Sequence, residues 1–125
     1  AKINPQLREQ IALALSQRNA CGYCLAAHTT LSQGAGITSD VIAAARSARS
    51  GDPREQAALH FAMALVEKRG HVSTDEMNQL RAAGFDAAEV LEIIMTVIFN
   101  LFTNYVNSAV DTDVDFPVVP LDVMA

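Results

Sequence analysis

Three times after residue 50 of this chain, a carboxylate or hydroxyl stands where the start of a helix needs one. Asp52 precedes Pro53, Ser73 is followed three residues on by Glu76, and Asp86 is followed three residues on by Glu89. An N-cap oxygen accepts one of the amide hydrogens that a first turn leaves unpaired, and proline suits the first helical position because its missing N–H is not needed there. The other two pairs have the spacing of a capping box. Pro5 and the run Thr38-Ser39-Asp40 supply further starts. Together these signals predict helices over about 5–18, from near Cys21 to before Gly34, over 38–50, 53–69 and 73–83, and from Asp86 to about Ala109. No strand series, phosphate-binding glycine loop or internal repeat breaks the pattern. The expected fold is all-α with about six helices, one domain over 1–125, ending in an extended acidic tail from about residue 111.

Alanine-rich composition supports helices, and 125 residues are enough for a core. The net charge of −5 and the scatter of the basic residues argue against nucleic acid, which needs clustered Lys and Arg. The most apolar run, Val90 to Val106, resembles a membrane span, but Glu92, Thr96, Asn100, Thr103, Asn104 and Asn107 recur through and just beyond it at helical spacing. They form one polar stripe on an otherwise apolar helix. A buried bundle helix, not a membrane span, is expected. The stripe faces either an active site or a subunit seam, with the seam preferred because buried polar groups need partners. The apolar faces point to a homo-oligomer. Ala1-Lys2-Ile3-Asn4-Pro5 lacks the apolar stretch of a signal peptide, and a cytoplasmic setting is expected.

Chemistry concentrates at Cys21-Gly22-Tyr23-Cys24, followed by Leu25-Ala26-Ala27-His28. These are the chain's two cysteines. In a reducing compartment such a pair is more often catalytic or metal-binding than a structural staple. Positions i and i+4 share a helix face, so Cys24 and His28 can meet. A helix starting near Cys21 places both sulfurs in its first turn, where the helix dipole favours thiolate. Glu9, on the preceding helix, can orient His28 if the two helices form an antiparallel hairpin. The cluster reads as a redox-active dithiol with a proton acceptor. Cys24 is taken as the attacking sulfur for its spacing to His28, with the reverse assignment open.

The run Arg8-Glu9-Gln10-Ile11-Ala12-Leu13-Ala14, then Ser16-Gln17 and Cys21-Gly22-Tyr23-Cys24-Leu25-Ala26-Ala27-His28-Thr29, resembles the alkylhydroperoxidase D-like branch of the carboxymuconolactone decarboxylase family. Asn100-Leu101-Phe102-Thr103-Asn104-Tyr105-Val106-Asn107 and Asp113-Val114-Asp115-Phe116-Pro117 resemble it too. The resemblance implies a helical homo-oligomer, a trimer or hexamer, and a peroxidase site with Glu9 and His28 as a proton relay to Cys21 and Cys24. It implies a hydroperoxide substrate, a protein thiol or lipoyl-type dithiol as reductant, and no cofactor or metal. Tyr23 stands where the best-known branch has histidine, and Ser108 where related sequences often do; Tyr23 is a candidate for the substrate pocket. The family's decarboxylase branch acts on a lactone of aromatic catabolism without this dithiol.

Each residue also has a plainer reading. Cys21 and Cys24 can be inert core thiols or part of a zinc site, with His60 and His71 as the remaining histidine ligands. His28 can be a buried, satisfied histidine, and Glu9 a solvent-exposed partner of the helix dipole. Tyr23 can be packing. His60 reads as a helix residue at a contact surface, His71 as a loop residue, and the acidic tail as solvated.

Overall fold

The computed structural model of the protein describes residues 3–121. The chain forms α1 Pro5–Arg18, α2 Gly22–Gly34, α3 Ser39–Arg46, α4 Pro53–Glu67, α5 Thr74–Ala82 and α6 Ala87–Ala109, with no strand among the described residues. The caps act as their chemistry dictates. Asp52 accepts from the amides of Arg54 and Glu55, and reciprocal capping boxes close at Ser73/Glu76 and Asp86/Glu89. α3 is shorter than its expected end near Ser50. Ala48 turns into the left-handed region at φ 57°, and the Arg49 amide closes onto the Ala44 carbonyl at 2.9 Å.

α1 is the central helix. Leu7, Gln10, Ile11, Ala12, Leu13, Ala14, Leu15 and Ser16 are all buried, and α2, α3, α4 and α6 pack around it. Its Leu7, Ile11 and Leu15 join Leu59, Phe61, Ile93 and Val97 in the main core. Burying each such side chain contributes on the order of 1.5–3 kcal/mol. The buried Gln10 amide donates to Glu55 Oε1 at 3.0 Å, which also accepts from the Ser50 hydroxyl at 2.7 Å.

The turn from α1 to α2 sets the position of the dithiol. Ala20 takes φ 52°, and the Cys21 amide donates to the Ser16 carbonyl at 3.0 Å. Asn19 Nδ2 donates to the buried Asn104 Oδ1 of α6 at 3.0 Å. The hairpin is thereby tied to the polar stripe.

α6 has two unlike faces. Val90, Ile93, Val97, Asn100 and Asn104 are buried against the bundle, while Leu91, Met95, Ile98, Phe99, Phe102 and Tyr105 are each more than half exposed. By length and composition alone it is the one described helix able to cross a membrane. It packs against α1, α2 and α4, and its buried Asn104 is bonded to the α1 C-cap Asn19.

The tail is extended, as expected from residue 111, but it is docked as well as solvated. Asp111, Asp113 and Asp115 face water, while Phe116, Val119 and Leu121 are half-buried. Val119 and Leu121 pack on the second core of Leu13, Leu25, Ile37, Ile42 and Ala45. Gln17 Nε2 donates to the Leu121 carbonyl at 2.8 Å, and Arg46 Nη2 to that of Pro120 at 2.7 Å. The expected tail continues over 122–125, and the expected absence of a leader concerns 1–2 as well; both stretches lie outside the described residues.

Candidate functional site

Cys21 is the N-cap of α2 and Cys24 stands in its first turn. The two are joined by a disulfide, with Cα atoms 5.2 Å apart. The Cys24 amide points at Cys21 Sγ at 3.3 Å, so a sulfur occupies the capping position usually held by oxygen. Both sulfur-bearing residues are almost wholly enclosed, at 2% and 3% exposure. α6 supplies the rest of the shell. Cys24 Sγ lies 3.8 Å from the Thr103 carbonyl and 3.6 Å from Asn107 Nδ2. Asn107 Nδ2 also donates to the Thr103 carbonyl at 2.9 Å, while its Oδ1 accepts from the Thr112 hydroxyl at 2.7 Å. That second bond fixes the amide with its N–H groups toward the sulfur.

His28 follows Cys24 by one turn on α2. Its Nδ1 lies 2.8 Å from Glu9 Oε1 of α1, which leaves Nε2 for other partners. The antiparallel hairpin therefore does bring Glu9 and His28 together. The pair is partly exposed and lines a cavity of about 450 Å³ between α1, α2 and α6, with Arg8, Glu92, Thr96 and Asn100. The cavity wall is mostly carbon, from Ala12, Met95 and Phe99 among others.

Two placements add to the sequence expectations. Glu92, Thr96 and Asn100 line this cavity, so this part of the polar stripe borders the candidate site within one chain. Tyr23 lines a different opening: a cleft of about 290 Å³ at the α2 N-terminus, shared with Cys21, Asn107, Asp111, Thr112 and Val114. Its ring meets Phe116 edge to face, with centroids 5.8 Å apart. Neither cysteine lines the larger cavity. Asn107 and Thr103 are site neighbours that sequence reasoning did not single out. Their signal was present in the stripe, which places them on the same face as Asn100.

Among the described residues, no group of three or more His, Cys, Asp or Glu gathers as a metal set. His60 is exposed on α4, and His71 precedes α5.

The arrangement defines a class: a helical bundle carrying a disulfide at a helix N-terminus, with a hydrogen-bonded histidine–glutamate pair on the same helical hairpin. The chain belongs to the carboxymuconolactone decarboxylase family, whose model matches residues 1–64. Its fold is similar to that of an uncharacterized peroxidase-related protein from Silicibacter sp. TM1040, with TM-score 0.80 and 23% identity over 95% of this chain and 62% of that one. It is also similar to the alkylhydroperoxidase AhpD core, an uncharacterized peroxidase-related protein from Ralstonia eutropha JMP134, with TM-score 0.74 and 23% identity over 99% of this chain and 64% of that one. The chain thus spans less than two thirds of the length of either. No curated protein matches the sequence.

Proposed function

We propose that this protein is a thiol-dependent peroxidase that reduces hydroperoxides through a Cys21–Cys24 disulfide cycle. The observation that carries the reading is the disulfide at the first turn of α2, one turn from a histidine held by a glutamate at 2.8 Å. In the cycle, Cys24 thiolate attacks the terminal oxygen of the hydroperoxide and the O–O bond breaks. The alcohol leaves with a proton relayed by His28, with Glu9 stabilising the charge that the ring takes up. Cys21 then attacks the Cys24 sulfenic sulfur, water departs, and the disulfide closes. Two electrons from a protein thiol or lipoyl-type dithiol reopen it. The need for that reductant fits a cytoplasmic setting. The exposed apolar face of α6 fits a homo-oligomer.

The test is hydroperoxide consumption by the pre-reduced protein, with mass spectrometry of the product. One peroxide lost per subunit with formation of the disulfide, and loss of both in Cys24→Ser, is the expected result. No consumption with both thiols still free refutes it.

One observation favours a second reading, that of a decarboxylase-like enzyme. Arg8, Glu9 and His28 share a cavity that neither sulfur lines, and such a set can bind a carboxylate and move a proton without thiol chemistry. This reading predicts turnover of a lactone that survives replacement of both cysteines. A protein whose disulfide only senses oxidants would close it reversibly without turning over either substrate.

A further inference from the structure

The cavity beside Glu9 and His28 is not lined by either sulfur, whereas the cleft on the tail side of α2 is lined by Cys21. Thiol–disulfide exchange requires the attacking thiolate to reach one sulfur while the other departs, so access decides which sulfur is attacked. Both residues are almost wholly enclosed, and Cys21 is the one that borders an opening. Cys24 has the surroundings of a leaving group: the first turn of α2 and the Asn107 N–H at 3.6 Å, held in place by Thr112.

The cleft also carries a sign. Asp111 is in its wall, and the exposed Asp113 and Asp115 follow on the tail. No Lys or Arg is among its lining residues. Like charge repels an approaching anion, and the effect is screened by salt.

We propose that the cleft bounded by Tyr23, Asn107, Asp111 and Val114 is the entry for the reductant, that the reductant attacks Cys21 and displaces Cys24, and that the cleft selects cationic or neutral thiols over anionic ones. The proposal rests on the dithiol being redox-active, as the peroxidase reading holds. In the first exchange, the reductant thiolate forms a new S–S bond with Cys21, the Cys21–Cys24 bond breaks, and Cys24 leaves as thiolate. A second reductant thiol then attacks the reductant's own sulfur in the mixed disulfide and releases Cys21. The reductant is oxidised by two electrons, and its two protons end on Cys21 and Cys24.

The experiment uses the full chain oxidised with diamide, so that it needs no peroxide and stands apart from the test of peroxidase activity. The oxidised protein is mixed briefly with cysteamine, quenched in acid and alkylated with N-ethylmaleimide, and the adducts are located by fragmentation mass spectrometry between Cys21 and Cys24. The expected result is cysteamine on Cys21 and maleimide on Cys24, in at least about tenfold excess over the reverse. Adducts mainly on Cys24, or shared evenly, overturn the proposal. In a second arm, cysteamine and 2-mercaptoethanesulfonate are compared per thiolate. Cysteamine is expected to react faster, with the ratio falling as salt is added and shrinking in Asp111→Asn. Equal rates at low salt overturn the assignment of charge selectivity.

Discussion

Replacing Glu9 by Gln isolates the charge of the Glu9–His28 pair. Glutamine keeps an acceptor and nearly the same volume, so the cavity wall stays intact. The contact is 2.8 Å, and the two side chains are 22% and 23% exposed, His28 first. A hydrogen bond to a charged group contributes about 1.5–3 kcal/mol, whereas a surface ion pair contributes about 0.2–1 kcal/mol. At this intermediate exposure, roughly 1–2 kcal/mol is the expected coupling. In the proposed cycle His28 takes up positive charge as it relays the proton, so the coupling is felt in the transition state. At about 1.4 kcal/mol per tenfold, Glu9→Gln should slow oxidation of the pre-reduced thiols roughly 5- to 30-fold. Quenched-flow mixing with hydroperoxide, followed by titration of the remaining thiols, reads the rate. In a His28→Asn background the same substitution should have no further effect, because the partner is gone. A rate within about twofold of the parent refutes the relay. So does a full additional loss in the His28→Asn background.

Three other outcomes follow from parts of the molecule away from that pair. Phe102, more than half exposed on α6, should lie in a subunit contact if the chain self-associates; Phe102→Asp then lowers the mass measured by sedimentation while helix content is kept, and an unchanged mass counts against this face. The Lys68 ammonium at 2.8 Å and the Ser73 amide hold Glu76 down to about 2 from an ordinary 4.5. A depressed folded-state pKa gives stability that is present above the unfolded value and lost as pH falls from about 4.5 towards about 2. Urea melts of the parent and Glu76→Gln should therefore differ at pH 7 and converge across that window; a constant gap would contradict it. Exposed Ala20 sits at φ 52°, a conformation that costs a residue with a Cβ on the order of 1 kcal/mol. Ala20→Gly should leave stability unchanged or raised by up to about 1 kcal/mol in urea, since glycine also gains freedom in the unfolded chain; clear destabilisation would argue that the methyl is needed.

What was legible in the sequence was what is local. Asp52, Ser73 and Asp86 signal their helices through bonds made within three residues, and these starts are found where they were expected. The early end of α3 carries no such signal. Ala48 has none of the side-chain chemistry that marks a left-handed turn, so the chain reverses there because tertiary packing holds it. Periodicity revealed the polar stripe on α6 but not its neighbour, since a helix face does not name the surface it meets. The bond from Asn19 to Asn104 supplies one such neighbour, at the α1–α2 hairpin. In the tail, aspartates concealed Phe116, Val119 and Leu121, whose partners are about 90 or more residues away in several cases, such as Gln17 to Leu121 at a separation of 104. Spacing picked out Cys21, Cys24 and His28, while Glu9 rested largely on the family resemblance. Asn107 became visible as a neighbour of the sulfur, and Thr112 as the residue that holds Asn107, only once α6 was laid beside α2.

The short reach of the disulfide bears on how the molecule would tolerate the proposed cycle. A cross-link stabilises mainly by removing freedom from the unfolded chain, and the effect grows with the loop it closes. Cys21 and Cys24 are only three residues apart. A four-residue ring contributes about 2 kcal/mol in that account, against about 4.7 kcal/mol for a ring of a hundred. The helices around it are held by the α1 core and by the ties from Asn19 and Gln17, none of which crosses the S–S bond. In the proposed cycle, electrons would thus enter and leave at the tip of α2 while the scaffold keeps most of its folding free energy, like a latch that opens without loosening the door frame.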